Sequence, residues 1–373
     1  MLLEPDRVRR ILLIATRQIG DVLLVTPLLA SLRQAYPSSV IDVLVFRDKG
    51  GMLQGNPHLT NVLEISEKPS RREYREILPQ LFRHYDLAVN SQANDRAHQF
   101  SLLAARYRVG LVYERDWRSV WKRWSNVRWA WLDNLYTHTV TQNLALAKVL
   151  GINAIEVVVP PRAALPQILQ LEGLQRAGIT AYAVVHLNPM WNYKRWTYDG
   201  WCAVIHGLLA RHMHVFISGG PGNEAECAQM AASFSDGVTS LAGRLSFGQL
   251  AQLIAGARIF IGPDTAVTHL AAATGAPTLA IYGPSNPIKW GPWPHGYAGV
   301  ASPWKNLARP WQHQHNVLLL QGDDPIGRPA CVPCYGEGCE RHKNSSSACL
   351  QALPADRVLS ACAVLLGDHA TNR

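Results

Sequence analysis

No stretch of the 373-residue chain strings together enough uncharged apolar residues to cross a membrane as a helix. No low-complexity tract interrupts it. The opening MLLEPDRVRR is polar, and the apolar run ILLIA gives way at once to Arg17, Gln18 and Asp21, so no secretory leader is expected. These absences predict a cytoplasmic protein, or one bound to the cytoplasmic face of a membrane. Acidic residues are in the minority: 27 Asp and Glu stand against 36 Lys and Arg, a net charge of +9. That balance admits nucleic acid, an anionic membrane or phosphorylated ligands as partners, without choosing among them. There are seven cysteines, an odd count, and a disulfide framework is not expected in a chain that reads as intracellular.

What is present is a rhythm. The length is large for one core and favours two domains. In the first part, ILLIAT (11–16), VIDVLVF (40–46), NVLEI (61–65) and DLAVNS (86–91) read as strands. Between them, 22–36 and 72–85 read as helices, with Pro27 kinking the first or lying in its first turns. A helix over 137–152 should stop at Gly151. The extended, proline-rich segment 156–166 suggests a linker. Beyond it, strands at 181–189, 258–264 and 277–284, and a strand running into a glycine-rich turn and a helix start over 214–226, alternate with helices at 198–212, 247–257 and 265–276. The expectation is an α/β protein with two parallel-sheet domains in tandem and a ligand cleft between them. The expected domains are 1–165, 166–350 and a C-terminal helix and tail at 351–373.

Two short stretches carry the chemistry. In RQIGDVLLVTPLL (17–29), Asp21 follows Gly20 and precedes a helix-like run, where it could be a helix cap or a general base. In IFIGPDTAVTHLAAATGAPTLAIYGPSNP (259–287), a strand ends at Gly262-Pro263, and Asp264 and Thr265 open the next helix. The free N–H groups of that first turn, with Thr265, form a natural seat for a diphosphate. Thr268 and His269, one turn on, can face the same site. Asp264 alone would serve equally as a cap.

These motifs, with NPHLTNVL (56–63), YDLAVNSQANDR (85–96), HTVTQNLALAKVLG (138–151), WNYKRWTYDGWCAVI (191–205) and ISGGPGNEAE (217–226), resemble the ADP-heptose:lipopolysaccharide heptosyltransferases of glycosyltransferase family 9 over nearly the full length. The resemblance implies a GT-B fold, two Rossmann-like domains facing across a cleft, with acceptor bound by the first and nucleotide sugar by the second. It implies inverting transfer with Asp21 as base, and Gly20 allowing close approach of substrate. Lys194 is implied at the donor phosphates, with Arg195 as the alternative one residue on. Glu224 is implied at the nucleotide ribose, with Glu226 competing. Asp264, Thr265, Thr268 and His269 complete the donor site, and Asn94 and Arg96 face the acceptor. Asn90 stands where many relatives carry Asp.

The chain has no Asp-x-Asp pair, the diphosphate-metal motif of the other common transferase fold, so no metal is expected in catalysis. No cofactor is implied beyond ADP-heptose as donor substrate. The implied partners are that nucleotide sugar, the lipopolysaccharide core acceptor and the cytoplasmic face of the inner membrane, with nucleic acid not expected. The aromatic and cysteine-bearing insertions are most similar to members that add heptose onto an existing heptose. A GT-B transferase with another sugar or acceptor, or a non-catalytic nucleotide-sugar binder, remains the alternative.

Two insertions stand apart. Residues 114–136 hold five tryptophans among basic residues. Trp117, Trp121 and Trp124 at i, i+4 and i+7, with Val120 beside them and Arg118, Lys122 and Arg123 elsewhere around the turn, predict an interfacial amphipathic helix. Near the C-terminus, Cys331, Cys334, Cys339 and Cys349 run C-x2-C-x4-C-x9-C. Four thiolates at those intervals could hold a structural zinc, with His342 as an alternative ligand; reduced thiols in an ordered loop are the competing reading.

Overall fold

The computed structural model describes residues 3–114, 117–322, 331–334 and 336–367, Arg118 through its backbone only. They form two compact units. One runs through Pro161 and includes Ala298–Ser302; the other comprises Arg162–Tyr297 and the chain from Pro303 onward.

The first unit is built on a wholly parallel six-stranded sheet in the order β3-β2-β1-β4-β5-β6. Its strands are β1 (Arg10–Ile14), β2 (Val40–Phe46), β3 (Asn61–Ile65), β4 (Tyr85–Asn90), β5 (Ala105–Tyr113) and β6 (Arg128–Leu132). The central strands are nearly continuous apolar runs because helices cover both faces of such a sheet. The single helix expected over 22–36 is two: α1 (Ile19–Leu23) and α2 (Thr26–Ala35). Pro27, in the first turn of α2, has no N–H to continue the ladder. The Thr26 hydroxyl takes the Leu23 carbonyl at 2.8 Å, and the Asn143 amide takes that of Leu24 at 3.0 Å. Those bonds satisfy the carbonyls the break leaves open.

Helix α3 (Arg71–Leu81) starts on a capping box between Ser70 and Glu73. Helix α4 (Asp95–Ala104) leads into β5, and neither was visible as a rhythm in the sequence. The expected amphipathic helix is instead a 3-10 turn (Trp117–Ser119) and one short helix, α5 (Val120–Ser125), before the edge strand β6. Trp129 and Trp131 favour that strand, and its pairing with β5 ends the helix. Helix α6 (Thr139–Leu150) stops at Gly151, whose φ of 71° is the left-handed conformation glycine tolerates.

The second unit carries seven strands in the order β12-β13-β11-β10-β7-β8-β9, parallel except for β12 against β13. They are β7 (Tyr182–His186), β8 (His214–Ser218), β9 (Val238–Ser240), β10 (Ile259–Pro263), β11 (Thr278–Tyr282), β12 (Trp311–Gln314) and β13 (Val317–Gln321). The helices are α7 (Leu171–Arg176), α8 (Tyr198–Leu209), α9 (Glu224–Ala232), α10 (Phe247–Ala255), α11 (Ala266–Thr274), α12 (Pro287–Trp290), α13 (Ala348–Gln351) and α14 (Ala355–Leu366).

The unit boundary falls after Pro161 rather than after residue 165. The preceding segment is held to the first unit by backbone N–H groups of Ile155 and Val159, which donate to the hydroxyls of Ser31 and Thr26 on α2. The C-terminal helix, expected as a segment apart, belongs to the second unit. Val358, Ala361 and Cys362 of α14 are buried in the same core as Val204, Ile205 and Leu208 of α8. Residues 368–373 of that expected tail lie outside the described residues.

Both sheets reverse the direction in which successive strands are laid down. In the first, β1, β2 and β3 run one way and β4 to β6 the other; in the second the reversal lies between β7 and β10. Parallel sheets bind ligands beyond the carboxyl ends of the strands at such points.

Candidate functional site

In the second unit the reversal brings together the loops after β7 and β10. Lys194, in a 3-10 turn after β7, places its ammonium 2.6 Å from Asp264 Oδ2 at the end of β10. The Ser285 hydroxyl donates to the same carboxylate oxygen. Burial works to raise the Asp264 carboxyl, but the charge and hydrogen bond of Lys194, and the bond from Ser285, outweigh it and hold the pKa below the ordinary value. The carboxylate is therefore ionised and is spent on orienting the lysine. Burial first, then Asp264, pushes the nearby Tyr282 phenol well above its usual range; its hydroxyl donates to the Trp290 carbonyl at 2.7 Å.

Helix α11 opens directly after this pair, with Thr265 as N-cap. The Thr265 side chain makes no capping bond. Thr268 departs from the expectation of a ligand-facing residue: it is fully buried and donates its hydroxyl to the Pro263 carbonyl. It holds the strand-to-helix turn, where a Cβ on Gly262 would come within 3.0 Å of it. His269 is also buried, and burial lowers its pKa to about 4, so it is neutral near pH 7 and brings no positive charge. Its Nδ1 is buried with no hydrogen-bond partner.

The two alternatives left open in the sequence are paired with each other. Arg195 grips Glu226 with a two-pronged bond of 2.8 and 3.1 Å. Glu224, at the start of α9, accepts from Gly222 N–H at 2.7 Å, and its carboxylate lies so close to Gly243 that a Cβ there would meet Oε1 at 2.5 Å. Lys194 and Glu224 thus have separate surroundings from Arg195 and Glu226.

One residue escaped the sequence reading. Asn188, two residues past β7, is buried, and its Nδ2 has no partner. Its Oδ1 accepts from the Cys227 thiol at 3.2 Å. Burial lifts that thiol to about 11, so it stays protonated and remains the donor, which keeps the amide nitrogen turned away from the sulfur. The only signal in the sequence was an Asn-Pro step after a strand.

In the first unit the reversal lies between β1 and β4. Ser91 ties the two strand ends by donating to the Ile14 carbonyl at 2.8 Å. Asp21 is the third residue of α1, and Gln18 is the N-cap, so Asp21 is not the helix cap. Gly20 precedes it within the same turn. The Asp21 side chain is mostly enclosed and lies 3.5 Å from Arg17 Nε.

The expected acceptor residues have structural partners. The Asn94 carbonyl oxygen caps α4 by accepting from Ala97 N–H at 3.0 Å, and Arg96 donates to the Glu67 carbonyl. Asn90 Oδ1 accepts from Gln92 N–H at 2.9 Å.

The cysteine expectation fares differently. The Cys349 thiol is pushed up to about 12, first by burial and then by neighbouring Cys334, Cys339 and Cys331. His342 faces Glu340 at 2.8 Å. Among the described residues, no group of three or more His, Cys, Asp or Glu is arranged to hold a metal ion.

The family model "Glycosyltransferase family 9 (heptosyltransferase)" matches residues 75–318. Lipopolysaccharide heptosyltransferase 3 of Escherichia coli is 29% identical over 329 residues, covering 81% of this chain and 92% of that protein. Among solved structures, a family 9 glycosyl transferase from Veillonella parvula superposes with a TM-score of 0.72 at 19% identity, over 98% of this chain and 99% of that one. ADP-heptose lps heptosyltransferase II of E. coli gives 0.70 at 19%, over 96% and 99%. The architecture is thus the α/β GT-B class, two Rossmann-like units. With well over half of its length matched by the family model, the chain belongs to glycosyltransferase family 9, the heptosyltransferases, and is a glycosyltransferase.

Proposed function

We propose that this enzyme transfers L-glycero-D-manno-heptose from its ADP-activated form to the inner core of lipopolysaccharide, onto an existing heptose, with inversion at the anomeric carbon. The similarity to heptosyltransferases 3 and II supports this donor and acceptor. The observation that carries the reading is the pair of buried Asp264 and half-buried Lys194 at the head of α11. In this reading the N–H groups of the first turn of α11 and the Lys194 ammonium receive the diphosphate. As the anomeric C–O bond breaks, its electron pair leaves with ADP, and that growing charge is what these groups stabilise. Asp264, Ser285 and Tyr282 position the lysine. Glu224 contacts the ribose, His269 lines the site as a neutral imidazole, and the Asn188 amide donates to a donor oxygen.

The acceptor hydroxyl oxygen forms the new bond from the opposite face and gives its proton to the Asp21 carboxylate. Gly20 admits the acceptor close to that carboxylate, while Asn94 and Arg96 border the same strand ends. The enzyme acts in the cytoplasm at the surface of the inner membrane, where a lipid-anchored acceptor is presented, and needs no metal for the transfer. The test is transfer from ADP-heptose to defined truncated core acceptors, read by mass and linkage analysis. Asp21→Asn should lower kcat by at least about a hundredfold while leaving the Kd for ADP within about twofold. Unchanged turnover in that variant removes Asp21 as the base.

A further inference from the structure

The insertion between β5 and α6 is built inside out. A surface helix ordinarily turns its lysines to water and its tryptophans to the core. Here Lys122 of α5 is buried, with its ammonium 2.8 Å from Asp95 and 2.7 Å from the Ala93 carbonyl at the start of α4. The tryptophans go the other way. Trp117 and Trp124 are 79% and 85% exposed, and Trp121, Trp129 and Trp131 are each more than a third exposed. Val120, Val127, Leu135 and Tyr136 are exposed in the same segment. Trp129 and Trp131 alternate along the edge strand β6 and touch edge to face, with centroids 6.2 Å apart. Each such ring presents roughly 150–250 Å² of surface when bare, so the group far exceeds the scatter of single apolar residues normal on a protein surface.

The charges along the insertion lean basic. Residues 114–138 contain Arg115, Arg118, Lys122, Arg123 and Arg128 against Glu114, Asp116 and Asp133. Asp133 accepts from the Leu135 and Tyr136 N–H groups and from the Thr137 hydroxyl, so its charge is drawn into the local turn. Arg123 holds its guanidinium 5.8 Å from the Trp131 ring, and Arg128 is exposed. Tryptophan suits a boundary layer, since its ring is apolar while its N–H seeks a polar partner, and cations beside it add attraction to anionic headgroups.

We propose that this face of the first unit is a docking surface for an anionic phospholipid bilayer, with Trp117 and Trp124 as the inserting anchors and Arg123 and Arg128 meeting headgroup phosphates. The surface rests on the proposed function only in that a lipid-anchored acceptor lies in such a layer; adsorption itself requires no transfer.

The experiment uses the full chain with phosphatidylcholine vesicles, with and without phosphatidylglycerol, followed by co-sedimentation and tryptophan emission. Binding should need phosphatidylglycerol, shift the emission to the blue, and weaken as salt is raised. Trp117→Ser with Trp124→Ser should reduce vesicle affinity at least about tenfold. Its transfer to a soluble, lipid-free core acceptor should be unchanged, which also shows that the variant is folded. Undiminished vesicle binding by the double variant overturns the proposal. So does a wild-type dimer in lipid-free sedimentation that the double variant abolishes, because the face then covers a second copy. Vesicle binding that follows this pattern while neither protein transfers heptose would leave the surface standing and sink the proposed activity instead.

Discussion

At the scale of single residues, the candidate donor site is an arrangement of charges in which one carboxylate serves one ammonium. Asp264 and Lys194 were separately legible as residues near a phosphate seat, but their 2.6 Å contact was not, because seventy residues separate them in the chain and only the pairing of β10 beside β7 brings them together. The contact gives Asp264 an ammonium partner of its own. Asp264→Asn keeps the shape and removes the charge, leaving the lysine without its buried counterion. The Lys194 side chain is 20% exposed, so the cost falls below the roughly 3–5 kcal/mol of removing one partner of a fully buried pair. The variant should melt at lower temperature and bind ADP at least about tenfold more weakly in calorimetry. ADP affinity equal to that of the unaltered protein would show that Lys194 does not depend on Asp264.

Thr268, Asn94 and Arg96 show how the same residue types serve two ends. Hydroxyls, amides and guanidinium groups near strand ends suit a ligand and a backbone alike. The chain uses these three on Pro263, Ala97 and Glu67.

At the scale of elements, local chemistry predicted well where it acted within a few residues. Gly151 ends α6 as its position implied, and β2 and β3 span the segments read from the sequence. The capping box of α3 is of this local kind: Ser70 Oγ accepts from Glu73 N–H at 3.2 Å, and Glu73 returns a bond to Ser70 N–H at 2.9 Å. Ser70→Ala should destabilise the protein by about 1 kcal/mol, measured as a lower urea midpoint with an unchanged slope. A midpoint identical to the unaltered protein would mean the cap adds nothing.

The tryptophan segment failed the same kind of reading. Helical spacing of Trp117, Trp121 and Trp124 was real, yet α5 ends at Ser125 because β5 offers an unpaired edge that Arg128–Leu132 takes up. The pairing available in the sheet overrode the local period.

At the scale of the whole molecule, three buried histidines tie stability to pH. His98 in the first unit and His186 and His269 in the second each have pKa values lowered to about 4, in every case chiefly by burial. His98 is neutral in keeping with its bonds: one ring nitrogen faces the Leu111 carbonyl at 3.1 Å and the other the Asn126 amide at 3.2 Å. In the unfolded chain these rings take up protons near pH 6.5, whereas the folded protein refuses them until about pH 4. Stability is therefore fully present above pH 6.5 and lost as pH falls toward 4, by up to about 1.4 kcal/mol per pH unit for each ring. Melting temperature should decline steadily across that window, and His98→Asn should make the decline shallower. A melting temperature that stays level from pH 7 to about pH 4.5 would show the rings titrating as in water.

The alternation of strands and helices, two largely parallel sheets, the family motifs and the strand-to-helix turn at 262–266 are properties of neighbouring residues, and the sequence alone determined them through hydrophobic period, glycine and proline placement, and N-cap chemistry. Tertiary structure decided which polar groups meet: Lys194 with Asp264, Arg195 with Glu226, Lys122 with Asp95, and the Asn188 amide beside the Cys227 thiol. Those outcomes depend on strand order and on burial, which strengthens some Coulomb pairs and forbids others. Neither strand order nor depth of burial is written in the spacing of residues along the chain.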